Sequence, residues 1–99
     1  MVQLNQVRGT ATTIRTDKIG TKEQKTIVQY HDTDVVSFNN QTIKLDNGNY
    51  LTSTTRNRMN QASNQFGLGY KVSIKKGIMY VTFKGKTLKF YGHFRILDR

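Results

Sequence analysis

The chain has 99 residues, no cysteine and no proline, and sixteen Lys and Arg against six Asp and Glu, for a net charge of +10. That length supports a single domain, 1–99, around one modest core, and the lack of cysteine excludes disulfides and thiolate metal sites. No apolar stretch approaches the roughly 20 residues of a membrane-spanning helix and the opening MVQLNQVRGT has no leader-like apolar run, so a soluble cytoplasmic protein with no membrane partner is expected.

Eight glycines among many Thr, Val, Ile, Tyr and Phe favour strands joined by tight turns. Residues 1–24 are polar and threonine-rich, with one strand expected around Val7–Ile14 and a loop through Asp17–Glu23. Thr26–His31, Val35–Phe38 and Gln41–Leu45 read as short strands, Asn47-Gly48 as a turn, and Tyr50–Ser53 as a continuation of the meander. Thr54 is the expected N-cap of a helix over Thr55–Phe66, with Gly67 just past its end. Projected at about 100° per residue, Thr55, Met59, Ala62 and Phe66 form one stripe that should lie on a sheet. Then Tyr70–Ile74 alternates, Lys76-Gly77 turns, Ile78–Phe83 is strongly apolar, Lys84-Gly85 turns, and Thr87–Tyr91 closes a meander, leaving residues 92–99 as a tail. The expected fold class is α+β: an antiparallel sheet of hairpins with one helix, about 55–66, packed on a face.

Charge is unevenly distributed along this plan. From Asn47 to Leu97 there is no acidic residue, and Arg56, Arg58, Lys71, Lys75, Lys76, Lys84, Lys86, Lys89 and Arg95 bring the stretch to +9. Residues 1–46 hold six bases and five acids, a net of +1. Half a domain with no acid repels itself, and a polyanionic partner such as DNA or RNA would relieve that.

The helix carries two oddities. Its expected first turn, Thr55-Arg56-Asn57-Arg58, puts two guanidiniums where the dipole favours acids, at about a few tenths of a kcal/mol each. Arg56 and Arg58 beside free N–H groups would seat a phosphate. Opposite the apolar stripe stand Asn60, Gln61, Asn64 and Gln65, where Glu and Lys are better helix formers. Such amides can pair with adenine in a major groove; equally, they can cap loops, pack against the N-terminal segment, or face water.

In the C-terminal meander Lys71, Ser73 and Lys75 share one strand face and Tyr70, Val72 and Ile74 the other; Lys89 and Tyr91 should project with Lys71. Lys76, Lys84 and Lys86 lie at or beside turns. A lysine-lined face with an aromatic beside it suits tracking of a nucleic-acid backbone, and it also suits the solvated side of a two-layer protein.

Residues for catalysis are sparse. His31-Asp32-Thr33-Asp34 has metal-ligand types but sits where Asp commonly makes turns, and His93 stands alone in the tail. No nucleophile motif is present, and Gly67-Leu68-Gly69 follows a helix, whereas a phosphate-binding glycine loop precedes one. No enzymatic activity, cofactor or metal is expected.

Three segments, YHDTDVVSF from Tyr30, TTRNRMNQASNQFGLG ending at Gly69, and VTFKGKTLKF ending at Phe90, resemble a group of small phage and mobile-element proteins. These share a pattern like YHxTDVVxF, TTxxRMNQASNQFGLG and FxGKT. The resemblance spans about 60 residues, with residues 1–25 and the segment after Phe90 outside it. It implies a phage or mobile-element origin, hence a bacterial host's cytoplasm, and no particular activity.

The leading expectation is a phage accessory protein that binds DNA or RNA mainly through phosphates. Arg56 and Arg58 would seat phosphates, Asn60, Gln61 and Asn64 would approach bases, and Lys71, Lys75, Lys84, Lys86 and Lys89 would extend the footprint. The alternatives are a host-takeover protein docking its basic face on an acidic host protein, and a structural component that self-associates through an edge such as Ile78–Phe83.

Overall fold

The structure is a computed structural model and describes residues 7, 9, 11–49, 51–97 and 99. In chain order its elements are β1 (Thr12–Asp17), β2 (Lys25–Tyr30), β3 (Thr33–Phe38), β4 (Ile43–Asp46), α1 (Ser53–Phe66), β5 (Tyr70–Lys75), β6 (Ile78–Phe83), β7 (Lys86–Phe90) and β8 (His93–Ile96). The strands make two antiparallel sheets, one of five strands in the order β1-β2-β3-β4-β8 and one of three in the order β5-β6-β7. The α+β class with a single packed helix is as the sequence indicates, but the strands divide between two sheets.

Strand periodicity explains which residues go inside. On β4, Ile43 and Leu45 are buried while Lys44 is exposed; on β5, Tyr70 and Val72 are buried while Lys71 and Lys75 are exposed. The core joins Val28, Val36, Ile43 and Leu45 of the larger sheet to Met59 and Ala62 of α1 and to Val72, Met79 and Val81 of the smaller one. Thr55, Met59 and Ala62 are fully buried, and Phe66 packs on Phe38 with ring centroids 5.0 Å apart, so the helical stripe does lie on a sheet.

The helix begins two residues earlier than expected. Thr52, with extended φ −111° and ψ 156°, is the N-cap, and its Oγ1 accepts the Thr55 N–H at 3.2 Å. Thr54 therefore sits inside the first turn. The run Thr52-Ser53-Thr54-Thr55 offers four hydroxyls of similar capping ability, so the choice falls to the surroundings. Gly67 ends the helix in the left-handed region at φ +65°, and the Leu68 N–H reaches back to the Ser63 carbonyl at 2.9 Å, closing a Schellman motif over buried Leu68.

Four polar helix residues, Thr55, Asn60, Gln61 and Ser63, are buried, and the free edge of β5 explains two of them. The Asn60 amide donates to the Val72 carbonyl at 2.9 Å and accepts the Val72 N–H at 2.8 Å, as a neighbouring strand would. Ser63 Oγ donates to the Tyr70 carbonyl at 2.7 Å and accepts the Tyr70 N–H at 3.1 Å. The Tyr70 hydroxyl donates to the Met59 carbonyl at 2.6 Å, and burial pushes its pKa well above the ordinary phenol value. Helix side chains thus stand in for a fourth strand, closing an edge that would otherwise carry unpaired backbone groups.

Other expectations are corrected. β1 lies at Thr12–Asp17 instead of Val7–Ile14, of which Arg8 and Thr10 fall outside the described residues. Within Tyr50–Ser53, Tyr50 is outside the described residues, Leu51 and Thr52 form no strand, and Ser53 opens α1. The tail contains β8: Phe94 and Ile96 pair with Leu45 and Ile43, and His93 Nδ1 lies 3.5 Å from Asp46. β6 is flanked on both sides by β5 and β7, so Ile78–Phe83 offers no open edge for self-association.

Candidate nucleic-acid interface

Two tight hairpins build the smaller sheet. Lys76 (φ +52°) with Gly77 (φ +76°) and Lys84 (φ +50°) with Gly85 (φ +80°) are two-residue turns with both residues left-handed, the type I′ geometry that matches strand twist. These turns set the register, which aligns Lys71 with Thr82 and Thr87, Ser73 with Tyr80 and Lys89, and Lys75 with Ile78. Since side chains alternate, these residues share the outer face, while Val72, Val81, Met79 and Phe90 face the core. The Thr82 and Thr87 hydroxyls meet at 2.8 Å on that face.

The outer face therefore carries Lys71, Lys75 and Lys89 around Tyr80, with Lys76 at one end. Lys84 and Lys86 stand at the opposite turn. Lys84 Nζ lies 5.2 Å from the Phe83 ring centre, and Lys86, aligned with Phe83, projects toward the core side at the sheet's rim. Among the described residues, none of Lys71, Lys75, Lys76, Lys86 and Lys89 has a carboxylate partner. The described acids lie on the larger sheet and its loops, where Arg15 holds Asp17 at 3.3 Å and Asp34 at 3.2 Å, and Lys18 holds Glu23 at 2.8 Å. The hydrogen bond from Lys18 lowers the Glu23 pKa and raises that of Lys18. The fold thus places mixed charge on one sheet and only positive charge on the other.

The helix residues are arranged otherwise than the sequence suggests. With Ser53 as the first helical residue, Arg56 closes the first turn and Arg58 lies in the second. Arg58 points to the larger sheet: its Nε donates to Thr12 Oγ1 at 2.9 Å, Nη1 to Gln61 Oε1 at 3.3 Å, and the guanidinium lies 5.8 Å from the Tyr30 ring centre. It also fills the space over Gly9, where a β-carbon would come within 1.9 Å of Nη2. Arg58 is therefore held in contacts with the larger sheet and with Gln61. Arg56 is half-buried, with Nη2 3.4 Å from Asn57 Oδ1.

The amide row is likewise divided. Asn60 is spent on β5 and Gln61 is buried against Arg58, so neither is available to read a base. Gln65 Oε1 accepts the Val7 N–H at 2.7 Å, and both Asn64 and Gln65 are exposed. β6 reads as uniformly apolar in the sequence; alternation of Ile78, Tyr80 and Thr82 against Met79, Val81 and Phe83 is the signal that separates its faces.

A family model described as Kyanoviridae Gp96 protein matches residues 3–95. The chain belongs to that family. It is a phage protein, and the match takes in residues 3–29 and 91–95, beyond the Tyr30–Phe90 span of the motif resemblance. No curated protein and no solved structure matches the chain. No described helix is long and apolar enough to cross a membrane.

Proposed function

We propose that this phage protein binds nucleic acid mainly through the phosphate backbone, without catalysis, in the cytoplasm of an infected bacterium. The observation that carries the reading is the smaller sheet: six lysines between Tyr70 and Phe90, no acid, and three of the six on one outer face around Tyr80. Such a surface is self-repulsive until phosphates neutralise it. Point-charge ammonium groups on flexible stems favour backbone contact over base recognition, so affinity should depend steeply on salt and little on sequence.

The test is fluorescence anisotropy against single-stranded DNA, duplex DNA and RNA across a salt series, comparing wild type with the combined Lys71→Ala, Lys75→Ala and Lys89→Ala variant. These exposed changes should leave the melting temperature nearly unchanged while reducing the slope of log affinity on log salt by about 2–3, given about 0.7–0.9 per phosphate contact. A wild-type protein that binds none of the three above roughly 100 mM salt, where exposed charges are substantially screened, would overturn the reading and point the basic face toward an acidic host protein.

A further inference from the structure

Seven large hydrophobic side chains are exposed among the described residues, and three of them, Leu51, Ile78 and Tyr91, line one cavity of about 270 Å³ at the Lys76-Gly77 end of the smaller sheet. Leu51 is 48% exposed, Ile78 38% and Tyr91 77%. Scattered exposed apolar residues need no explanation, but their convergence on a concave site does. Lys89 of the outer face lines the same cavity.

Asn47 also lines it, and the amide is poorly matched. Only 2% exposed, Asn47 uses Oδ1 to accept the Asn49 N–H at 2.8 Å, while Nδ2 has among the described residues only the Met79 sulfur, at 3.9 Å. Sulfur is a weak acceptor, so a buried donor there is under-used. The neighbouring acid, Asp46, is turned to His93 and to the Gly48 N–H, 2.8 Å away.

We infer that this cavity takes one unstacked base of a single-stranded nucleic acid, whose phosphates continue along Lys89, Lys75 and Lys71. The inference rests on the proposed backbone binding and adds a site, a strandedness and a role for Tyr91. The base stacks on the exposed Tyr91 ring against Leu51 and Ile78, and a base carbonyl or ring nitrogen accepts from Asn47 Nδ2. Lys89 bridges the two parts, lying both on the lysine face and at the cavity wall. A duplex keeps its bases stacked and cannot fill the slot, so single strands are preferred, whether DNA or RNA.

The experiment compares wild type, Tyr91→Ala and Leu51→Ala on single-stranded DNA, single-stranded RNA and duplex DNA, with abasic single strands as a second probe on wild type. Both positions are exposed, and circular dichroism checks that the variants fold. Tyr91→Ala should weaken single-strand binding about 5-fold or more, the factor for one base stacked on an aromatic ring, with the salt slope and duplex affinity unchanged. Leu51→Ala should act in the same direction, and an abasic single strand should bind wild type more weakly than an intact one. The DNA and RNA arms show which sugar the slot accepts. Equal binding of intact and abasic strands, or a Tyr91→Ala variant with unchanged single-strand affinity, would overturn the base slot while leaving backbone binding standing. Absence of all nucleic-acid binding by wild type overturns both.

Discussion

Replacing Asn60 with alanine removes the side chain that closes the β5 edge, and the structure allows the loss to be worked through. Val72 is 1% exposed and Asn60 8%, so the Val72 N–H and carbonyl, now satisfied at 2.8 and 2.9 Å, would lose their partners in a site with little room for solvent. A stranded buried donor or acceptor costs about 1–3 kcal/mol. Alanine returns about 0.6 kcal/mol as the better helix former, leaving a net destabilisation of about 1.5–5 kcal/mol. For a domain of this size each kcal/mol corresponds to about 4–8 °C in Tm, so calorimetry or thermal circular dichroism should show a drop of roughly 6 °C or more. Amide exchange at Val72 should accelerate in the Asn60 variant ahead of exchange at Val81 in the central strand. An Asn60→Ala protein as stable as wild type would refute the edge-closing argument.

Other consequences follow from particular contacts. Arg58→Ala should cost about 1–3 kcal/mol, through lost hydrogen bonds and the contact with the Tyr30 ring, whereas Arg56→Ala should change chemical-denaturation midpoints little; the reverse order would refute the packing role of Arg58. Gly67→Ala should cost about 1–2 kcal/mol from left-handed strain alone, because nothing lies within 4 Å of the added carbon; Gly48→Ala should cost more, since at φ +58° its β-carbon would also meet Thr33 Oγ1 at 2.5 Å. Tyr70 keeps its proton when buried while the unfolded phenol ionises near pH 10, so its contribution is complete below about pH 10 and falls by about 1.4 kcal/mol per pH unit above it. Tyr70→Phe should be less stable at neutral pH yet lose less stability between about pH 10 and 12; parallel curves for the two proteins would argue against a buried neutral phenol.

What the sequence determined by itself is what depends on local spacing. Turn residues at Lys76-Gly77 and Lys84-Gly85, alternation along Tyr70–Lys75, and the glycine after Phe66 specify the hairpins and the helix end, because each constraint acts within a few residues. The acid-free C-terminal half and the lysine face of β5 are legible for the same reason. Tertiary structure decided the rest. Asn60 reads as part of a surface row because nothing local announces that a strand edge will lie beside the helix, and nothing marks Ser63 as its partner in closing that edge. Arg58 reads as a free cation until Thr12 and Tyr30 arrive from strands more than twenty residues away. β8 was illegible because its apolar signal is Phe94 and Ile96 alone, and its partner β4 lies about fifty residues earlier in the chain. The cavity beside Tyr91 gathers Asn47, Leu51, Ile78 and Lys89 from separate segments, and only the closure of both sheets around one core brings them to a common wall.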